Sequence, residues 1–225
     1  MNKYLEHLKE DKLVYYIYQN DLSIYDISSD CPNYIVIANK DYRVPEEFKD
    51  SIIDAYKWKP FKFGVIHDGS KFIFYEMQEW FKYVLNCDIL AWECSCLNKK
   101  FIIKEHVKLM LETDLLKLRK NFDAMLDPYM LYANSKMAVN DFDSAKFKLF
   151  EILKTIIFTN QIIENHKIVN YKAVKDSYYK LINCEETQDS VLGTFLELFT
   201  PELKILMNKT DEMLTKDKLN NYEKI

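Results

Sequence analysis

The sequence predicts an α+β fold, with a mixed-sheet unit over residues 1–106 followed by an all-helical unit over 107–225. Three observations carry this. The first part of the chain holds short runs of β-branched and aromatic residues set between turn signals. Asp68-Gly69 separates two such runs, a strong hairpin signature. From about Ile102 onward the apolar residues recur at the helical period instead.

Taken in order, Lys3–Lys12 is charged and amphipathic and reads as a first helix. Leu13–Tyr18 suits a pleated surface and reads as a strand. A polar, turn-rich segment from Asp21 leads through Ser29-Asp30 into Tyr34–Ile37, a short apolar run that reads as a buried strand. Pro45-Glu46-Glu47 predicts a short helix reaching about Tyr56. Phe61–His67 and Lys71–Glu76 form the expected hairpin. Glu76–Leu85 turns helical with Met77, Trp80, Phe81, Val84 and Leu85 on one face, and Asn86-Cys87-Asp88 ends it. Ile89–Leu97 reads as a further buried piece. Five helices are then expected, over Lys104–Met125, Pro128–Val139, Ser144–Asn165, Tyr171–Ile182 and Thr187 to about Lys216, with a polar, frayed tail from Asp217. Asp143 is a candidate cap for the third of these.

Composition narrows the classes. A hydrophobic content of 48% with 16 Tyr and 14 Phe supports a packed core. The net charge of −4 gives no bulk electrostatic case for nucleic-acid binding. No stretch approaches the roughly 18–20 uninterrupted apolar residues of a membrane helix, and Met1–Glu6 lacks the apolar core of a signal peptide. A cytoplasmic, reducing setting and no membrane partner are therefore expected. The five cysteines, Cys31, Cys87, Cys94, Cys96 and Cys184, do not pair into zinc-knuckle spacing and read as small buried apolar residues.

Candidate functional residues fall in two groups. Asp30, just before a strand, stands where a divalent cation ligand is placed in phosphoryl-transfer sites, and a turn or cap role competes with that. Glu93 reads as a partnered structural acid, Trp80, Phe81 and Trp92 as core aromatics, His67 as an exposed turn residue and His166 as a helix-terminal one. Between Lys117 and Lys180 there are 11 basic residues against 7 acidic, so Lys136, Lys146, Lys148 and Lys154 are candidates for a phosphate-backbone surface, with a solvated lysine face as the competing reading.

Several pieces, in order, resemble one family. Ser23-Ile24-Tyr25 and Ser29-Asp30 before Tyr34-Ile35-Val36 form the first. Tyr75-Glu76, Trp80-Phe81 and Leu90-Ala91-Trp92-Glu93 form the second, and Lys148 to Val169, through Lys154-Thr155-Ile156-Ile157 and Gln161-Ile162-Ile163-Glu164, forms the third. Together they are similar to the predicted nucleotidyltransferases of the DNA polymerase β superfamily, in the branch found in RNA-repair gene neighbourhoods and phages. The resemblance implies a nucleotidyltransferase-like N-terminal domain, a helical C-terminal domain, nucleotide contacts from Ser23, Ser29, Asp30 and Asn33, and Mg2+ held in part by Asp30. The sequence departs from the family where chemistry would reside. Asp21-Leu22 stands in place of Gly-Ser, Pro32 or Asn33 in place of the second aspartate, and Lys71 nearest the third acid. Two-metal transfer needs converging carboxylates, and only Asp26 or Asp68 could replace them in space. The resemblance with these departures implies a protein that keeps the scaffold without catalysis, as a binding module or subunit of a nucleic-acid-handling assembly with RNA, DNA or a protein as partner. An active Mg2+-dependent enzyme modifying an RNA end or a protein is the alternative, and a protein–protein factor is the third.

Overall fold

The computed structural model describes residues 2–19, 33–53, 63–96, 99–103 and 114–222. The chain divides into two compact units, Met1–Glu112 and Thr113–Ile225. The N-terminal unit is α+β around a mixed sheet and the C-terminal unit is helical.

The N-terminal unit opens with α1 (Lys3–Glu10), whose cap is Asn2; its side chain accepts the Leu5 N–H at 3.0 Å. The strands are β1 (Val14–Gln19), β2 (Tyr34–Ala38), β3 (Ile52–Ile53), β4 (Phe63–His67), β5 (Ser70–Glu76) and β6 (Lys99–Ile103). They lie in the order β3-β4-β5-β2-β1-β6. All neighbours are antiparallel except β2 and β5, which run parallel at the centre with Tyr34 opposite Phe72. The β4–β5 turn has both Asp68 and Gly69 at positive φ, 48° and 70°, as the two-residue hairpin requires. At Gly64 a Cβ would lie 2.7 Å from the Ile53 side chain, so the β3–β4 approach depends on glycine there.

Both faces of the sheet are covered, by two separate cores. On one face α1 and a 3-10 helix (Glu46–Ser51) pack on the sheet through Tyr4, Leu8, Phe48, Tyr34, Phe72 and Phe74. The rings interlock: Tyr34 stacks on Phe72 at 4.7 Å and Phe63 on Phe74 at 4.5 Å. The opposite face carries α2 (Met77–Leu85) and α3 (Ile89–Cys96), which cover Tyr16, Tyr18, Ile35, Ile37, Ile73 and Tyr75 with Trp80, Val84, Ala91 and Cys94. Alternation along the strands assigns each side chain to its face.

The helical unit consists of α4 (Leu115–Met137), α5 (Phe142–Asn165), α6 (Lys172–Ile182) and α7 (Gln188–Tyr222). Its core is mostly aliphatic, with Leu149, Ile152, Leu153, Ile156, Ile162, Leu181, Val191 and Leu206 buried. Asp141 caps α5 by accepting the Ser144 N–H, and His166 closes it in the left-handed conformation at φ 53°.

Several expectations are corrected. The helix after Pro45 is a single 3-10 segment that gives way to β3 at Ile52. Lys99–Ile103 is an added strand, not the start of the helical region. Pro128 lies inside α4 instead of opening a new helix, because its missing N–H leaves only the Ala124 carbonyl without a partner, and both residues are exposed. The cap of α5 is Asp141, not Asp143. The segment from Asp217 continues α7 as far as Tyr222. The buried stripe of α2 is narrower than expected: Phe81 is 37% and Leu85 67% exposed. Cys87 and Cys94 are buried, whereas Cys96 is exposed.

Candidate functional site

The parallel β2–β5 pair brings two chain segments together at one end of the sheet. Asn33, immediately before β2, lies beside Lys71, the second residue of β5. The Asn33 N–H donates to the Lys71 carbonyl at 2.9 Å, and the Lys71 N–H donates to Asn33 Oδ1 at 2.6 Å. This reciprocal pair extends the parallel ladder one step past the strand and fixes the side-chain amide by its oxygen. What the amide has left to offer is the pair of donors on Nδ2. Lys71 alternates with Ile73 and Tyr75, so it belongs to the α2/α3 face, and it is only 9% exposed. A lysine side chain this little exposed is tolerated where charge and hydrogen bonds compensate it.

The same face carries further polar atoms under the helices. Trp80 is 1% exposed and packs on the rings of Tyr18 at 5.9 Å and Tyr75 at 5.2 Å. Its Nε1–H donates to no acceptor among the described residues, and the same holds for the Tyr16 hydroxyl and Trp92 Nε1. Burial pushes the Tyr18 and Tyr75 phenols well above their ordinary range, so both stay neutral. The Tyr18 hydroxyl is hydrogen-bonded to Ser95. Glu93 is buried in α3, at 6% exposure.

Of the residues expected to contact a nucleotide, Asn33 takes part in this arrangement, while Ser23, Ser29 and Asp30 lie outside the described residues, as does Asp26. Asp68 is in the hairpin turn at the same end of β5 as Lys71, three residues before it, with its Oδ2 3.4 Å from His67 Nε2. His67 is less exposed than a turn residue: its ring packs edge-on against Phe48 at 5.0 Å and its carbonyl accepts from Asn2 Nδ2. Magnesium requires hard oxygen ligands. A lysine and an amide whose oxygen is already engaged do not fit that ion, and among the described residues no group of three His, Cys, Asp or Glu side chains converges. Lys71 could be read in the sequence as standing nearest the third acid; its hydrogen-bonded juxtaposition with Asn33 could not, because it depends on strand register.

The lysines of the helical unit separate by environment. Lys146 is 3% exposed, and its Nζ donates to the Ile182 and Cys184 carbonyls at 3.0 and 2.8 Å. It caps the C-terminus of α6 from a neighbouring helix and has no surface to offer a phosphate backbone. Lys136 reaches Asp141 at 2.9 Å, which raises its own pKa and lowers that of Asp141. Lys148 pairs with Glu151 and lies over the rings of Tyr129 at 4.2 Å and Tyr132 at 5.6 Å. Lys154 is half-buried on α5. Lys146, Lys136 and Lys148 thus answer local partners, and the lysine excess counted from the sequence overstates the charge available outside.

No family model matches the chain, and no curated protein matches it. Among solved structures the chain is similar to a nucleotidyltransferase-like protein from Exiguobacterium sibiricum, with 13% identity and a TM-score of 0.35, over 92% of this chain and 73% of that one. It is also similar to an aminoglycoside 6-adenyltransferase from Bacillus subtilis, with 10% identity and a TM-score of 0.36, over 97% of this chain and 95% of that one. Among the described residues no helix is long and apolar enough to cross a membrane.

Proposed function

We propose that this chain is a nucleotidyltransferase-like protein that does not catalyse nucleotidyl transfer and serves as a binding module. The observation that carries the reading is the Asn33–Lys71 pair. Where the family resemblance calls for carboxylates, the central strands present Asn33 and Lys71, tied together by hydrogen bonds to the Lys71 main chain. Two metals bridging a triphosphate need negative ligands there, and neither an amide nor a lysine supplies one. Asp30 is one acid, and one carboxylate does not supply the charge that the chemistry requires.

The partner held by such a module is RNA or DNA in an assembly, with Lys154 as the contact candidate that remains after Lys146, Lys136 and Lys148 are set aside. Binding of this kind weakens steeply with salt. The test has two arms. Labelled nucleoside triphosphates are incubated with the protein, Mg2+ or Mn2+, and RNA or protein acceptors. The same nucleotides are then titrated into wild type and Asp30→Ala with and without metal. No label transfer and no Asp30-dependent metal requirement are expected. Transfer of label that Asp30→Ala abolishes would establish the active enzyme instead.

A further inference from the structure

We infer that Asn160 is a register pin, whose buried amide fixes where α7 lies along α5. The inference concerns the helical unit alone and does not depend on the proposed function. α5 is the central helix of that unit and packs against α4, α6 and α7. Asn160 is 4% exposed within its most buried stretch, and it reaches across to α7. There Nδ2 donates to the Glu202 carbonyl at 3.0 Å and to Glu202 Oε2 at 2.6 Å. Asn160 Oδ1 is equally buried and accepts from no donor among the described residues. A buried oxygen without a donor is costly, so stability is a poor reason for an amide here. Specificity is a better one. The two helices run in the same direction, since Asn160 meets Glu202 and, further along both, Glu164 meets Lys209. The buried side chains of α7 that remain, Val191, Phe195, Phe199 and Leu206, are apolar. Apolar residues recurring every three or four positions can pack again after a slip of one turn, about 5.4 Å. The amide cannot, because one turn either way Leu198 or Leu206 takes the place of Glu202. A single buried Asn sets register between packed helices in this manner.

The experiment is NMR of the isotope-labelled full chain, with one amide signal per α7 residue expected in the wild type. Asn160→Leu keeps the branched shape and removes the polar atoms. It strands no buried acceptor, because the Glu202 carbonyl lies within α7 and its carboxylate is partly exposed. A second set of signals, or broadening, should appear for α7 residues on either side of Glu202. Asn160→Ala cannot clash and should show the same effect, which keeps the test decisive if Asn160→Leu does not fold. Glu202→Gln keeps both acceptors and should give the single wild-type set. Thermal melts check that each variant is folded. Single sharp α7 signals in the folded Asn160 variants would overturn the inference. So would doubling spread evenly over the whole helical unit, which marks general loosening, or doubling in Glu202→Gln.

Discussion

Among the described residues each unit buries one lysine, and the two are tied into the fold through different atoms. In the helical unit Lys146 donates to two main-chain carbonyls at the end of α6, which gather there because a helix leaves its last carbonyls without partners. In the sheet unit the Lys71 main-chain N–H donates to the Asn33 side-chain oxygen. The first charge is consumed by the fold. The second residue joins the ends of two strands through its main chain. Burial alone therefore does not mark a functional lysine; the chemistry of the groups beside it does.

The comparison is broken most sharply by Lys146→Met. It leaves two carbonyls without the ammonium, and a loss of about 3 kcal/mol of stability is expected, read from urea unfolding. A stability unchanged by that substitution would mean that Lys146 is not structural. Asn33→Ala removes the acceptor of the Lys71 N–H and should cost about 1–2 kcal/mol, whereas Asn33→Asp should stay close to wild type in stability. If both variants are equally destabilised, the clamp does not depend on Oδ1. Asn2→Ala removes the α1 cap and the link to the hairpin through His67, at about 1 kcal/mol in thermal melts.

Two pH effects are smaller and differ in sign. The hydrogen bond from Lys136 holds Asp141 below the ordinary carboxylate range, so the stability it contributes is present above that range and is lost as pH falls. Asp141→Asn should flatten the acid limb of a plot of melting temperature against pH. Burial raises the Tyr42 phenol from its ordinary 10.0 to about 12, so its contribution is intact below pH 10 and is lost as pH rises through about 12. A phenolate absorbance titration of the folded protein should lag behind that of the denatured chain, and coincident curves would contradict the burial.

Much of the fold was legible in the sequence because local chemistry dictates it. Asp68-Gly69 supplies two positive φ values, and the hairpin follows from that dipeptide. The run Tyr34–Ile37 is apolar throughout, as a strand covered on both faces must be. β6 was not legible, since Lys99–Ile103 borders the helical pattern and its strand character comes from pairing with β1. Nor was the continuity of α4 through Pro128, which depends on solvent reaching the Ala124 carbonyl. Of the candidate site, the missing second and third carboxylates could be read from residue identities. The reciprocal bonds between Asn33 and Lys71 could not, and the capping role of Lys146 depends on carbonyls 36 and 38 residues away.

The parallel pairing at the centre of the sheet also bears on how the protein folds. The β4–β5 hairpin closes over a two-residue turn and can form early, whereas joining β2 to β5 at Asn33 and Lys71 closes a separation of 38 residues. Chain entropy opposes that closure until other contacts offset it. The strand ends that gather Lys71 and Asn33 are therefore assembled late. A substitution that weakens the Asn33–Lys71 bonds should therefore speed unfolding more than it slows folding.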